Sequence, residues 1–285
     1  MKKNALIIIV LLASLLPMIG LRGIATAEKA AGLACGNWAS AAAQANIAKA
    51  VLQEKMGYRV ELKTLSAAAM WEAAANGDID GFLCAWLPTP HSSYYKKQKE
   101  NVVNLGINLE GVRIGLVVPA YVTIDSISEL DVHAEKFNGE IIGIDAGAGI
   151  MEATEKALEE YGIENLKLMD GSGSMMTAVL QEKVENRQWV VVTGWTPHWK
   201  FHRFDLKYLE DPKNVYGDTE YIKTIVRKGL KSDKPELYAF LDNFYLNLED
   251  IQNVMDRIRK SGKPYESALR WVKENPQQAE ALIPR

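Results

Sequence analysis

The chain has 285 residues, of which 48% are hydrophobic and 24% are charged, and its formal net charge is −3 at pH 7. This mildly acidic balance argues against a nucleic-acid-binding protein, because phosphate recognition needs an excess of basic residues. The length suits one large domain or two lobes of about 100–150 residues each.

The first 27 residues have the features of a secretory signal peptide. Lys2 and Lys3 form a basic start, residues 5–16 are almost wholly apolar, and Ala25-Thr26-Ala27 fits a small-x-small cleavage site. We therefore expect residues 1–27 to be removed and the protein to be exported to the periplasm or cell envelope. Because the apolar run is short for a membrane span, an uncleaved N-terminal anchor is kept only as the alternative.

Beyond residue 27, short apolar runs alternate with helical stretches, which is typical of an α/β fold. The pattern predicts strands over residues 32–38, 60–65, 80–86, 112–122, 140–145, 166–169 and 189–193. It predicts helices over residues 40–55, 66–76, 151–161 and 174–186, with a mainly helical segment from residue 234 onward. Ser40 is the predicted cap of the first helix.

Two segments are predicted to cross between two lobes. Pro119 argues against a central strand and for a crossover within 112–122, and residues 206–209 are the second candidate. The expected arrangement places residues 28–118 and 208–285 in lobe I and residues 119–207 in lobe II, with a ligand cleft between them.

Three tryptophans carry the functional prediction. Trp38, Trp86 and Trp195 each follow a short apolar run and open a turn-rich stretch, and ligands of open α/β sheets bind at the carboxyl ends of strands. Several indole faces around one point attract a methylated ammonium ion through their ring quadrupoles. The sequence therefore predicts a receptor for a quaternary amine and not an enzyme.

A second pattern predicts an anion site. Residues 147–149 read Gly-Ala-Gly and precede a helix predicted to start at about Met151. Glycine lets a backbone approach a ligand closely, and a helix N-terminus binds anions through its free N–H groups and its dipole. Together with the tryptophans, this pattern suits a zwitterion.

Cys35 and Cys84 are the only two cysteines. Export permits a disulfide between them; the alternatives are two buried thiols or a lipid-modified Cys35. The remaining tryptophans are predicted to be structural: Trp71, Trp189, Trp199 and Trp271. His198 and His202 are four residues apart, as metal ligands on a helix are, but no third ligand is evident, so we expect His198 to make a structural hydrogen bond.

Several segments resemble those of the substrate-binding proteins of osmoprotectant ABC importers, the glycine betaine/proline betaine receptors. The resemblance covers essentially the whole mature chain and is carried by residues 76–80, 85–91, 115–119, 138–145, 147–150, 190–199 and 205–213.

The resemblance implies a two-lobed periplasmic-binding-protein fold of type II. It implies that Trp38, Trp86 and Trp195 surround the trimethylammonium group, and that the carboxylate is held by His91 and by the backbone N–H groups of Gly149 and Ile150. It also implies a monomer without a cofactor or metal, which delivers a betaine to a membrane permease and its ATPase and contacts the membrane only through that permease.

Two other functions remain open at this point. One is a receptor for choline, carnitine or a sulfonium analogue, for which the carboxylate site would be partly or wholly unused. The other is a secreted thiol hydrolase with Cys84 as nucleophile and His91 as base, although burial in a strand would raise the pKa of such a cysteine.

Overall fold

The computed structural model describes residues 29–284, so the predicted signal peptide lies outside the described residues. In this range the strands are β1 (Ala30–Cys35), β2 (Arg59–Thr64), β3 (Gly81–Leu87), β4 (Val102–Pro119), β5 (Glu140–Ile142), β6 (Lys167–Met169), β7 (Val192–Thr196), β8 (Leu206–Tyr208) and β9 (Glu220–Arg227).

The α-helices of the same range are α1 (Ala39–Met56), α2 (Ala67–Asn76), α3 (Ser92–Gln98), α4 (Gly149–Tyr161), α5 (Gly173–Glu185), α6 (Lys200–Arg203), α7 (Leu230–Asp233), α8 (Pro235–Asn243), α9 (Leu248–Ser261), α10 (Pro264–Glu274) and α11 (Pro276–Ala281). Short 3-10 helices cover Ile127–Glu129 and Asp131–Phe137. Across residues 29–284, no helix combines the length and the apolar character that a membrane crossing requires.

The strands form two groups that share β4. The order is β2-β1-β3-β9-β4-β7-β5-β6, and β8 pairs with the end of β4. β4 pairs with β9 as far as Val112 and with β7 from Arg113 onward. The chain therefore passes from one lobe to the other inside a continuous strand, and it returns between β8 and β9. The lobe boundaries at residues 118/119 and 207/208 stay a prediction.

Two parts of this topology differ from the sequence-based expectation. The predicted strand over 112–122 is only the end of β4, which begins at Val102 and contains register shifts around Gly106 and Leu109. These irregularities interrupt the alternation of apolar residues, so the sequence pattern does not predict the first half of β4. β9 was not predicted, and it supplies the strand between β3 and β4.

Helix α1 is buried on most of its surface, and its start positions the first cage tryptophan. It packs against β2, β3, α9 and α10, which its alanine-rich sequence allows because small side chains permit close approach. The prediction that Ser40 caps this helix is wrong. Trp38 occupies the N-cap position, whereas Ser40 lies inside the first turn, fully buried. Gly57, at φ 72°, ends the helix, and the last helical residue, Met56, lies one residue beyond the predicted limit of residue 55.

Candidate functional site

A cavity lies between the two lobes. The six residues predicted to bind the ligand all line it: Trp38, Trp86, His91, Gly149, Ile150 and Trp195. Four other residues complete the lining: Pro90, Ile114, Ile144 and Ala148. A mainly apolar cavity with a few polar groups is the usual form of a small-molecule site.

The three tryptophans reach the cavity from three different elements. Trp38 precedes α1, Trp86 is the penultimate residue of β3, and Trp195 is the penultimate residue of β7. The strand predicted over residues 189–193, running into Trp195, is β7 (Val192–Thr196), so it starts later than predicted and includes Trp195. All three side chains are at most 9% exposed, so their ring faces are shielded from water, which strengthens a cation–π contact.

Gly36 permits the packing of Trp38. A Cβ atom at residue 36 would overlap the six-membered ring of Trp38, so the indole folds back over its own backbone only because residue 36 has no side chain. The position of the Trp38 indole therefore depends on glycine at residue 36, in the turn between β1 and α1.

His91 is buried and held in one tautomer. Its Nδ1 accepts hydrogen bonds from the indole Nε1 of Trp71 and from the backbone N–H of Trp86, each at 3.3 Å. Burial lowers the pKa of His91 to about 3, so the ring is neutral at ordinary pH. Because Nδ1 accepts, the proton is on Nε2, and the imidazole can donate one hydrogen bond from that nitrogen.

The N-terminus of α4 supplies two further donors. The helix starts at Gly149 and not at about Met151 as predicted, so Gly149 and Ile150 lie in its first turn, where backbone N–H groups have no partner within the helix. A Cβ atom at residue 149 would overlap the carbonyl group of Pro90 on the opposite lobe. The absence of a side chain at Gly149 is therefore what allows the two lobes to approach at this point.

Three hydrogen bonds join the lobes around the cavity. Asn37 Nδ2 donates to Asp145 Oδ1 at 2.9 Å, and Tyr94 Oη donates to the carbonyl oxygen of Gly147 at 2.9 Å. Ser93 Oγ donates to Glu152 Oε2 at 3.0 Å. With the Gly149–Pro90 contact, these bonds define a closed arrangement of the lobes.

The disulfide suggested by the sequence is not present. Cys35 and Cys84 are both free and buried, and Cys84 Sγ lies 3.7 Å from Met70 Sδ. Burial raises the pKa of Cys35 to about 12 and raises that of Cys84 further above its ordinary value. With the Nδ1 atom of His91 occupied by two donors, this arrangement does not provide the activated thiol that a hydrolase needs.

His198 and His202 do not share a metal site. Nδ1 of His198 accepts from the backbone N–H of Lys200 at 3.0 Å, the structural hydrogen bond that was predicted, whereas His202 Nδ1 lies 3.2 Å from Asp256 Oδ2. Among residues 29–284, no three His, Cys, Asp or Glu side chains are placed to hold a metal ion.

Sequence reasoning missed two residues that support the cavity. Trp71 was correctly predicted to lie in the core, at 1% exposure, but its bond to His91 was not foreseen. Lys200 was not singled out at all, although it is fully buried against the Trp195 ring. In the sequence, Lys200 is distinguished only by its position between two aromatic residues, Trp199 and Phe201.

The two lobes and the aromatic cavity between them define a protein of the substrate-binding class. Residues 33–274 match the family described as "OpuAC: Substrate binding domain of ABC-type glycine betaine transport system". The chain belongs to this family, and the resemblance found in its sequence is confirmed.

Solved structures share the fold over nearly the whole described range. Lactococcal OpuAC in its closed, glycine betaine-bound form is 39% identical with a TM-score of 0.86, over 90% of this chain and 100% of that one. ProX from Borrelia burgdorferi is 39% identical with a TM-score of 0.87, over 90% and 97%. A choline-binding protein in complex with choline is 25% identical with a TM-score of 0.83, over 89% and 91%.

A curated relative matches over a shorter range. The glycine betaine/carnitine transport binding protein GbuC of Listeria monocytogenes is 51% identical over 144 residues, which is 50% of this chain. The match spans about half of that relative, 48% of its length.

Proposed function

We propose that this protein is an extracytoplasmic receptor that binds glycine betaine and delivers it to an ABC importer. The observation that carries the proposal is that three tryptophans, a neutral histidine donor and a helix N-terminus line one closed cavity. The family membership and the glycine betaine-bound lactococcal structure support the same ligand class.

The two ends of a betaine match the two kinds of wall. A trimethylammonium group has no N–H to donate, so it gains most from the π faces of Trp38, Trp86 and Trp195. The carboxylate would accept from Nε2–H of His91 and from the backbone N–H groups of Gly149 and Ile150, with the α4 dipole adding favourable potential.

Ligand binding and lobe closure are coupled in this proposal. The cage draws Trp38 and Trp86 from lobe I and Trp195 from lobe II, and the carboxylate donors are divided in the same way. A betaine therefore contacts both lobes only when they are closed, so it shifts the population toward the closed form. The closed form would then be recognised by the permease and its ATPase.

Carnitine is the second candidate ligand. It carries the same trimethylammonium and carboxylate groups as glycine betaine on a longer backbone, and the Listeria monocytogenes relative is named for both compounds. Choline has the ammonium group without the carboxylate, so it would leave the polar wall unused. Export of the chain, with residues 1–27 as its signal peptide, completes the proposal.

Calorimetric titration with glycine betaine, carnitine, choline and proline tests the ligand. We expect betaine to bind most tightly, with choline weaker because it forms no bond to His91. His91→Ala should weaken betaine binding and leave choline binding nearly unchanged. Tighter binding of choline than of betaine would overturn the assignment of His91, Gly149 and Ile150 as the carboxylate site. The absence of a binding signal with all four compounds would overturn the proposed class of ligand.

A variant of the cage tests the aromatic wall separately. Trp86→Ala should weaken betaine binding at least about tenfold, or about 1.4 kcal/mol. Trp189→Ala is the matched control, because that indole packs on Phe137 and His133 in lobe II and does not line the cavity. Equal affinity of Trp86→Ala and the wild type would remove Trp86 from the cage.

A further inference from the structure

Lys200 has an environment unlike that of every other basic residue in the described range. Among residues 29–284 it is the one lysine or arginine that is buried, at 0% exposure. Its Nζ donates to the carbonyl oxygen of Thr193 at 3.1 Å. The ion pairs formed by the described residues do not include Lys200, so no carboxylate balances its charge.

The ammonium group of Lys200 lies against a wall of the cage. Nζ is 4.6 Å from the centroid of the Trp195 ring and 5.7 Å from that of Phe201. Trp195 lines the ligand cavity, whereas Lys200 does not. The lysine therefore contacts Trp195 from outside the cavity, while a ligand cation would contact the same indole from inside.

Two cations on one indole oppose each other. The first cation polarises the ring toward itself, which weakens the attraction of the ring for a second cation on its other side, and the two positive charges also repel each other directly. A ligand ammonium at a similar distance from the centroid of the Trp195 ring, but on the cavity side, would lie about 9 Å from Nζ. In a protein environment with an effective dielectric constant of about 20, repulsion of the ammonium alone would change a binding constant by about tenfold, and the attraction of Nζ for the carboxylate of the same ligand offsets part of that change.

We propose that Lys200 sets the affinity of the cage for its cationic ligand from outside Trp195, so that betaine binds more tightly when Lys200 is neutral than when it is charged. The inference rests on the proposed function, and it adds a residue that controls affinity without touching the ligand. Lys200 is thus a positioning and tuning residue of the site.

The charge on Lys200 can change near neutral pH. Burial lowers the pKa of Lys200 to about 7, so the amine is protonated below that pH and neutral above it. Betaine affinity should therefore rise as pH increases through about 7. Reciprocally, betaine binding at pH 7 should release part of a proton, since the ligand cation disfavours the charged form of the lysine.

The other titratable groups around this cluster can be separated from Lys200. Burial and the charge of Lys200 hold the pKa of His198 well below its ordinary value, so His198 stays neutral. The remaining charged groups contact neighbouring side chains: Arg113 over the Tyr208 ring, Arg259 over the Trp199 ring, and His202 beside Asp256. Of these, the exposed imidazole of His202 requires its own control.

Calorimetric titration with glycine betaine at pH 6.0 and pH 8.5 tests the proposal. We expect the wild type to bind up to severalfold more tightly at pH 8.5, because the ligand carboxylate offsets part of the repulsion. Lys200→Met should bind tightly at both pH values. Titrations at pH 7 in buffers of different ionisation enthalpy should show proton release from the wild type and none from Lys200→Met.

Two control variants complete the experiment. Lys136→Met removes an ammonium that lies 4.3 Å from the centroid of the Trp189 ring, away from the cavity, and should keep the wild-type pH profile. His202→Gln should also keep it. If Lys200→Met does not fold, proton release by both the wild type and His202→Gln would still support the proposal, because it excludes His202 as the source of the proton. The absence of proton release from the wild type would overturn the proposal.

Equal wild-type affinity at the two pH values, without proton release, would overturn the role of Lys200 and leave the betaine receptor intact. The same conclusion follows if Lys200→Met retains the full pH dependence. If the wild type binds no betaine at either pH, the proposed function itself fails, and the tuning role fails with it.

Discussion

The indole Nε1 of Trp71 donates to Nδ1 of His91 at 3.3 Å, and together with the backbone N–H of Trp86 this bond leaves Nε2 as the nitrogen of His91 that is available to a ligand. Trp71 does not line the cavity. A core residue thus selects the tautomer of a residue in the binding site, as the outer partners of functional histidines commonly do.

Trp71→Phe is expected to weaken betaine binding by up to severalfold, because loss of one of the two hydrogen bonds to Nδ1, worth about 1 kcal/mol, weakens the preference of His91 for the Nε2–H tautomer. Trp271→Phe is a matched control: Trp271 is also 1% exposed, and its Nε1 donates to Asp250 at 3.1 Å. Both variants should lose stability, and only Trp71→Phe should lose affinity. Titration calorimetry and thermal unfolding measure the two effects, and equal affinity of the two variants would exclude the tautomer role.

Gly149→Ala should prevent full closure of the lobes, because its Cβ would overlap the carbonyl group of Pro90. We expect a loss of betaine affinity of at least about a hundredfold, or about 2.7 kcal/mol, with little change in the unfolding of the ligand-free protein. Gly147→Ala is the control, since a Cβ there meets open space. Small-angle scattering with and without betaine would report closure, and a normal contraction of Gly149→Ala would contradict the prediction.

The protein is expected to lose stability as pH falls from about 6.5 toward 3. Burial lowers the pKa of folded His91 to about 3, while His91 of the unfolded chain takes up a proton near pH 6.5. The unfolded state therefore binds more protons in this window, so the free energy of unfolding decreases by up to about 1.4 kcal/mol per pH unit for this residue.

His91→Gln should remove that part of the slope, measured by urea unfolding of the ligand-free protein between pH 4 and pH 7. The depressed pKa of His198 acts in the same direction, so some pH dependence should remain in the variant. An unchanged slope would mean that His91 is not buried as a neutral imidazole.

The two thiols should be unreactive in the folded protein and reactive in the unfolded one. Cys35 and Cys84 are buried and free, and burial raises the pKa of each, so a thiol reagent at pH 8 meets little thiolate. In urea without a reductant, both should react. A failure of both to react in urea would show that they are joined in a disulfide after all.

The sequence predicts more of the candidate site than of the strand topology. The residue types of Trp38, Trp86, Trp195 and Gly149, which belong to short contiguous motifs, suggest a cation cage and an anion site, whereas the proposed role of His91 rests on the family resemblance. The hydrogen bond from Trp71 and the ring contact of Lys200 depend on tertiary packing. A lysine is normally exposed, so nothing local in the sequence distinguishes Lys200.

The errors in the fold also have a physical origin. β4 and β9 pair over long sequence separation, and the bulges near Gly106 and Leu109 interrupt the alternation by which a strand is recognised. Ser40 was assigned as a cap by residue type alone, whereas the turn after β1 places Trp38 there. The predicted ends of the first two helices, at residues 55 and 76, lie within one residue of the observed ends, because the glycines that follow, Gly57 and Gly77, adopt the positive φ values that end a helix.

The path of β4 through both strand groups has a consequence for the integrity of the molecule. The two strand groups are joined twice, once within β4 and once between β8 and β9, and the group β2-β1-β3-β9 draws strands from both halves of the described chain. A protease that cut the connection between Tyr208 and Glu220 would leave the fragments joined through the hydrogen-bonded ladder of β4. A nicked protein should therefore migrate as one particle in solution and as two pieces only under denaturing conditions.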